Sequence, residues 1–146
     1  MAQIRRKAHA VWTGNLRGGK GRMDTSSGAL IEKPYSFTTR FENEPGTNPE
    51  ELIAAAHAGC YSMAFSATLG DKGYSPERIE VNATCIMTPK EGGGFAITGM
   101  QLKVRGTVPG LDNATFVEIA HEADKGCPVS NLLRSGLTIE LDVALD

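Results

Sequence analysis

The sequence predicts an α+β fold built from antiparallel strands and one long apolar helix. Three observations support this class. Apolar and polar residues alternate in several separate stretches, residues 48–70 have a helical composition, and two shorter helical patterns occur near the end of the chain. Because strands and helices come in separate runs and do not alternate strictly, the order favours α+β over a doubly wound sheet. The length of 146 residues fits one domain, which we expect to cover residues 1–146.

The first third of the chain predicts three short strands joined by turns. Residues 8–12 and 22–25 are separated by a Gly- and Lys-rich segment, which lacks the spacing of a phosphate-binding loop and predicts a hairpin turn. In residues 35–41, aromatic side chains alternate with polar ones, so we expect a third strand with Arg40 on its polar face.

Residues 48–70 predict the central helix. Asn48 is a good N-cap, Pro49 suits the first helical position, and Glu51 stands where the acid of a capping box belongs. No broad polar face follows the first turn, which is typical of a buried helix. We therefore expect the rest of the chain to wrap around this helix and Cys60 to lie in an apolar environment.

A β-hairpin follows the central helix. Residues 79–87 alternate as a strand with one mostly apolar face, and a Gly-rich connection leads into a second strand over residues 95–108. The alternation of the second strand changes phase beside Gly99, which predicts a β-bulge there.

The last part of the chain predicts two helices and a strand. Asp112 or Asn113 can cap the first helix, which Gly126 ends, and Cys127-Pro128 begins a short second helix through Leu133. Residues 137–145 alternate as a final strand.

Composition excludes several classes of function. The net charge of −2 suggests neither nucleic acid nor anionic lipid as a partner, and the start of the chain lacks the apolar region of a signal peptide. No run of about 18 apolar residues predicts a membrane span. Three cysteines without a secretion signal favour a reducing compartment, so we expect a cytoplasmic protein. Because there is no CxxC pair and the histidines are scattered, we expect neither a metal site nor a cofactor.

The three cysteines differ in their sequence environment. Cys85 is in phase with apolar strand residues and is interpreted as a core residue, whereas Cys60 lies mid-helix and is either a structural or a reactive thiol. Cys127 stands at the start of a helix, where unpaired N–H groups favour a thiolate and from which it could meet another thiol. His57 precedes Cys60 by three positions, and it could act as a base or serve as a hydrogen-bonded core or interface residue.

A buried Cys60 thiolate would need a nearby cation, since burial alone raises the pKa of a thiol. Arg40 is the candidate that leads into the central helix, and Arg17 and Arg22 in the N-terminal hairpin are the others. The alternative for Arg40 is a surface salt bridge.

Three segments carry a resemblance to a known family: PYSFTTRFENEPGTNPEELIAAAHAGCYSMAFSATL, FAIT and GCPVSNLL. With them, essentially the whole chain resembles the osmotically inducible protein C branch of the OsmC/Ohr family. The resemblance implies a small thiol peroxidase that reduces hydroperoxides, organic ones in preference to hydrogen peroxide. It also implies an intertwined homodimer with antiparallel sheets wrapped around long central helices.

The same resemblance implies roles for individual residues. Cys60 matches the peroxidatic cysteine, Cys127 the resolving one, Arg40 the arginine that activates the thiolate, and Glu50 the glutamate that holds this arginine. Arg17 lies near the arginine position of the Ohr branch and is the weaker candidate. No catalytic position of the family transfers to Cys85 or His57. The reductant implied is an external dithiol, for which the resemblance points to dihydrolipoyl groups.

The spacing on the helix predicts where the site is assembled. Glu50 and Cys60 would lie about 15 Å apart along a straight helix and roughly 80° apart around it. We therefore expect two subunits to share each site, unless the helix bends sharply. The alternative function is a non-catalytic stress-response protein that binds an apolar ligand in an interhelical cavity, but such a module would gain nothing from a resolving thiol.

Overall fold

The computed structural model describes residues 2–135, and the predicted last strand at residues 137–145 lies outside them. The described residues form helices and antiparallel strands, so the fold is α+β, as expected. The chain divides into two compact units, Met1–Ile53 and Ala54–Asp146. The expectation of one domain over residues 1–146 stays a prediction.

The first unit contains a three-stranded antiparallel sheet in the order β1-β2-β3, formed by Ala8–Thr13, Lys20–Thr25 and Lys33–Tyr35. The rings of Trp12 and Tyr35 lie 5.5 Å apart, centroid to centroid. They pack across Gly21 on β2, where an added Cβ would come within 2.4 Å of the Tyr35 ring. Glycine is therefore required at this position because the aromatic pair covers its backbone.

The predicted strand over residues 35–41 is wrong beyond its first residue. β3 ends at Tyr35, and Phe37–Phe41 forms a short helix, α1. Ser36 and Thr39 explain the difference, because each side chain accepts the backbone N–H of the other residue in a capping box. Arg40 consequently lies in the last turn of a helix and not on the polar face of a strand.

The central helix α2 covers Pro49–Asp71 and has the predicted N-cap, since Asn48 Oδ1 accepts the Glu51 N–H at 2.8 Å. It differs from the expected all-round burial, because a single chain buries one face only. The buried residues recur every four positions: His57, Tyr61, Phe65 and Leu69. The opposite face is apolar and exposed, with Met63 75% accessible among small residues, including Ala55, Ala56, Gly59 and Ala67.

By length and composition alone, α2 is the one helix in the described part of the chain that could cross a membrane, with a mean hydropathy of 1.3. This differs from the expectation that no stretch qualifies. The indication is weak, because the core helix of a soluble protein passes the same test. Three residues of α2 are buried in the protein core: Tyr61, Phe65 and Leu69.

The predicted β-hairpin is confirmed in the second unit. Strands β4 (Arg78–Pro89) and β5 (Phe95–Thr107) pair antiparallel. Ile86 pairs with Gly99 and Met87 pairs with Ile97, which leaves one extra residue on β5. This register shift is the predicted bulge beside Gly99.

The two predicted helices that follow are also confirmed. Helix α3 covers Asn113–Gly126, and Asp112 is its N-cap, accepting the Thr115 N–H at 2.9 Å. Helix α4 covers Pro128–Ser135 and begins directly after Cys127.

The core of the second unit joins α2 to α3. Its buried members are three residues of α2 and Ile119, Ala123 and Cys127 from the α3–α4 region. Phe65 is fully buried, and its ring lies 5.0 Å from that of Phe116 on α3. Each large side chain buried in this way contributes roughly 1.5–3 kcal/mol of hydrophobic stabilisation. This packing fixes the junction between α3 and α4 against the middle of α2.

Candidate active site

Cys60 and Cys127 lie side by side in the second unit, with their Sγ atoms 3.4 Å apart. Cys60 is on α2 and partly exposed, whereas Cys127, between α3 and α4, has 0% exposure. Neither is in a disulfide. A disulfide has an S–S length of about 2.05 Å, so a small movement would allow the two sulfur atoms to bond.

The position of Cys127 follows from two helix ends. Its backbone N–H caps the end of α3 by donating to Asp124 O at 3.3 Å, and its carbonyl accepts the Asn131 N–H of α4 at 3.0 Å. The side chain therefore stands at the N-terminus of α4, where the first N–H groups have no helical partner. An anionic sulfur is favoured at such a place.

The two thiols have opposite pKa shifts. Burial raises the pKa of the Cys60 thiol, and the neighbouring Cys127 adds to this, against a backbone hydrogen bond from Val129. Burial acts the same way on Cys127, but hydrogen bonds from the Ser130 hydroxyl and N–H, and from Cys60, outweigh it and lower the pKa of Cys127. Within this unit the more acidic thiol is Cys127, and a thiolate on Cys60 would need a cation.

His57 is hydrogen-bonded to Ser130 of α4, with His57 Nε2 and Ser130 Oγ 2.7 Å apart. Both residues are buried, at 5% and 4% exposure. Burial lowers the pKa of His57; Asp124 opposes this shift, and Arg134 adds to it. Of the two interpretations of His57, this geometry matches the hydrogen-bonded core residue.

Sequence reasoning did not single out Ser130. The available signal was its place three positions after Cys127 in the first turn of a helix, where a hydroxyl can reach the residue at the cap. Its contact with His57 joins positions 73 apart in the sequence, which no local pattern shows.

Arg40 and Glu50 form an ion pair in the first unit. Arg40 Nη2 donates to Glu50 Oε1 at 2.8 Å, and Arg40 Nε lies 3.2 and 3.3 Å from the two carboxylate oxygens. Their side chains are 38% and 12% exposed, respectively. The forked contact fixes the orientation of the guanidinium, which a single contact would not do.

Aromatic rings lie beside Arg40. A pocket of about 320 Å³ is lined by Trp12, Leu16, Tyr35, Ser36, Phe37, Arg40 and Phe41. The Arg40 guanidinium lies over the Phe41 ring at 5.0 Å, and that of Arg17 lies over Phe37 at 4.9 Å. Arg22 pairs with Glu32 in an exposed salt bridge of 3.2 Å. Of the three candidate arginines, Arg40 therefore has both a largely covered carboxylate partner and a place in the pocket wall.

The structure thus brings Cys60 and Cys127 together in one unit, and Arg40 and Glu50 together in the other. Cys85 lies on β4 opposite Met100 and is partly buried. Among the described residues there is no group of three or more His, Cys, Asp or Glu side chains that could hold a metal ion.

A larger cavity of about 700 Å³ lies in the second unit between α2, β5, α3 and α4. Most of its wall is apolar, with polar side chains on the helices. The polar and charged residues on its wall include His57, Tyr61, His121, Asp124, Ser130 and Arg134.

Comparison with known proteins gives consistent similarities. The sequence model of the family described as OsmC-like protein matches residues 41–142. Peroxiredoxin OsmC of Escherichia coli is 48% identical over 94% of this chain and 95% of that protein. The organic hydroperoxide resistance protein of Xanthomonas axonopodis pv. citri is 30% identical, over 94% and 93%. The crystal structure of an organic hydroperoxide resistance protein OsmC from Legionella pneumophila has a TM-score of 0.68 at 22% identity and covers 92% of this chain and 93% of that one.

Proposed function

This chain belongs to the OsmC/Ohr family and is a peroxidase, and we propose that it reduces organic hydroperoxides through a two-cysteine cycle. Cys60 is the peroxidatic residue and Cys127 the resolving one. The observation that carries the proposal is the 3.4 Å separation of the two Sγ atoms, one partly exposed and one buried. A partly exposed thiol can meet a peroxide, and a buried neighbour can react with the oxidised product.

The first step is attack of the Cys60 thiolate on the outer oxygen of the hydroperoxide. The O–O bond breaks, Cys60 becomes a sulfenic acid, and the leaving alkoxide takes a proton from water. The guanidinium of Arg40 supplies the cation that stabilises the Cys60 thiolate and the developing alkoxide. Arginine cannot serve as the acid, because its pKa is above 12.

The second step joins the two cysteines. Cys127 attacks the sulfur of the sulfenic acid, which forms the disulfide and releases water, and this prevents further oxidation of Cys60. An external dithiol then reopens the disulfide by exchange and restores both thiols. The family resemblance points to dihydrolipoyl groups of a lipoylated protein as this reductant.

Glu50 holds the arginine in this scheme. Its forked contact with Arg40 supports the role, since a guanidinium on an exposed side chain would otherwise have many orientations. The aromatic pocket beside Arg40 supports organic hydroperoxides as the preferred substrates, because Phe37 and Phe41 offer apolar surface to an alkyl or aryl group. Hydrogen peroxide would gain nothing from that surface.

The working form is a homodimer in which two copies of the chain share each site. Two observations support it: Glu50 and Cys60 are ten positions apart on one helix, and α2 exposes an apolar face around Met63. An exposed apolar face on a helix of this length favours association with a second copy. We place the protein in the cytoplasm, where reducing conditions keep its thiols ready.

A second candidate function has one observation in its favour. The 700 Å³ cavity of the second unit is large enough for a small apolar ligand, as a non-catalytic binding protein would require. The closely placed thiol pair favours the peroxidase, because ligand binding does not need it.

Thiol counting after one equivalent of cumene hydroperoxide tests the proposal. The peroxidase loses two of its three thiols, and a binding protein loses none. If all three thiols still react after the peroxide is added, the two-cysteine cycle is wrong.

A further inference from the structure

We propose that His57 and Ser130 form a buried hydrogen-bond chain that holds Cys127 as a thiolate for the resolving step, with His57 as a positioning residue for the Ser130 hydroxyl. This inference rests on the proposed function, because it gives the two residues a task in the formation of the Cys60–Cys127 disulfide.

The groups of this hydrogen-bond chain come from α2, from α4 and from the junction between α3 and α4. His57 Nε2 of α2 and Ser130 Oγ of α4 are 2.7 Å apart, and the Sγ atoms of Cys127 and Cys60 are 3.4 Å apart. Ser130 stands in the first turn of α4, three positions after Cys127. Its hydroxyl and N–H are among the groups that lower the pKa of Cys127. His57, Ser130 and Cys127 are each at most 5% exposed. Water is therefore a poor substitute for any of these hydrogen bonds.

The position of the His57 proton decides which group donates in each hydrogen bond. Within the described part of the chain, Nδ1 of His57 is buried without a hydrogen-bond partner. A proton on Nδ1 would be an unsatisfied buried donor, which proteins seldom tolerate. The proton of the neutral ring therefore belongs on Nε2, which donates to Ser130 Oγ. The Ser130 hydroxyl hydrogen then points to Cys127, where it stabilises a thiolate and not a thiol.

The charges around His57 do not disturb this arrangement. Asp124 of α3 and Arg134 of α4 face it with opposite signs and pair with each other. The other titratable groups on the same cavity wall are Tyr61 of α2 and His121 of α3, and β5 contributes no charged side chain there. Burial raises the pKa of Tyr61 to about 12, so this phenol stays neutral.

The step that the chain serves is the attack of Cys127 on oxidised Cys60. The Cys127 thiolate forms the S–S bond as the S–O bond of the sulfenic acid breaks, and the hydroxide that leaves is protonated by a buffer acid from the solvent. Cys127 sulfur is oxidised, Cys60 sulfur is reduced, and water is the product. A thiol at Cys127 would first have to lose a proton inside an apolar core, so the preformed thiolate makes the step faster.

The test uses a chain in which Cys127 is the single thiol, made by Cys60→Ser and Cys85→Ser, since the protein has three cysteines. Thiolate absorbance at 240 nm against pH gives the ionisation midpoint of Cys127 without any need for a reagent to reach it. Four further substitutions are compared in this background. Ser130→Ala and His57→Phe remove the proposed donors, His57→Gln keeps a donor at a similar reach, and Ser62→Ala is the control for loss of a hydroxyl on α2.

We expect Ser130→Ala and His57→Phe to raise the midpoint by about one pH unit, and His57→Gln and Ser62→Ala to leave it unchanged. An unchanged midpoint in Ser130→Ala overturns the proposal, and that variant decides the matter if His57→Phe fails to fold. A purely structural role for the two residues would alter thermal stability but leave the midpoint in place.

A second readout separates this proposal from the proposed function. In the chain with all three cysteines, Ser130→Ala should form the sulfenic acid at least as fast as the unsubstituted chain but close the disulfide about tenfold more slowly at neutral pH, and the deficit should vanish at alkaline pH. A deficit that is equal at every pH overturns the hydrogen-bond chain. If no sulfenic acid forms even without these substitutions, the proposed function has failed, and the absorbance titration still decides about Ser130 and His57.

Discussion

The Sγ atoms of Cys60 and Cys127 lie 3.4 Å apart although the residues are 67 positions apart in the sequence. The core between α2 and α3 makes this possible, because Phe65, Ile119 and Ala123 hold the end of α3 against the middle of α2. The pair is therefore positioned by buried, close-packed residues, and it does not depend on a mobile loop.

Replacing the resolving cysteine should stop the cycle halfway. We expect Cys127→Ser to react with cumene hydroperoxide at Cys60 and to accumulate a sulfenic acid, because no second thiol remains within reach. Trapping with dimedone followed by mass spectrometry of the Cys60 peptide checks this. Cys85→Ser serves as the matched control and should form no trapped product. A Cys127→Ser chain that cycles with a dithiol as fast as the wild type would show that Cys127 does not resolve the intermediate.

Removal of the guanidinium should slow the peroxide step. Arg40→Met is expected to lower kcat/KM for cumene hydroperoxide by about 10²–10³, the usual loss when a group that stabilises transition-state charge is deleted. Glu50→Gln should cost less, because the arginine stays but loses its anchor. Arg22→Met removes an arginine from an exposed salt bridge and should have no effect. Equal rates for Arg40→Met and Arg22→Met would contradict the assignment.

The exposed face of α2 predicts how the chain associates. Met63 is 75% accessible in the single chain, and the proposed homodimer would cover it. We expect Met63→Glu to shift the molar mass measured by light scattering from dimer to monomer, since a buried charge without a partner opposes association. Ile4→Glu changes a residue that is 71% accessible outside the helix and should leave the dimer intact. A wild-type chain that is an active monomer would be evidence against the dimer.

The buried histidine predicts a loss of stability in acid. The pKa of His57 is lowered in the folded protein from its ordinary value of 6.5, chiefly by burial. Below that value the unfolded chain binds more protons than the folded one, so the stability contribution is complete above pH 6.5 and is lost as the pH falls through the shifted pKa. We expect the thermal midpoint to fall as the pH is lowered below 6.5, and His57→Gln to reduce this fall. His121→Gln, at an exposed histidine of α3, should not.

Local patterns were enough to predict most elements of the fold. The Asn48 cap, the bulge beside Gly99 and the Asp112 cap all depend on signals within a few residues of each other, and each is present. The segment around Arg40 shows that alternation of apolar and polar residues does not always predict a strand. This segment alternates like a strand, but the capping box of Ser36 and Thr39 stabilises a helical turn.

The candidate site was less accessible to sequence reasoning. Cys60 and Cys127 could be proposed as partners only through the family resemblance, because their approach depends on the packing of α2 against α3. Ser130 carried too weak a local signal, since its contact with His57 joins distant parts of the chain. The exposure of Met63 could not be predicted either, because it depends on whether a second copy covers the helix.

Peptide mapping after oxidation by one equivalent of cumene hydroperoxide tests the central claim most directly. The account predicts a disulfide between the Cys60 and Cys127 peptides, with Cys85 still alkylated as a thiol, and no such product in Cys60→Ser. A disulfide that involves Cys85, or three thiols that survive the oxidant, would contradict it.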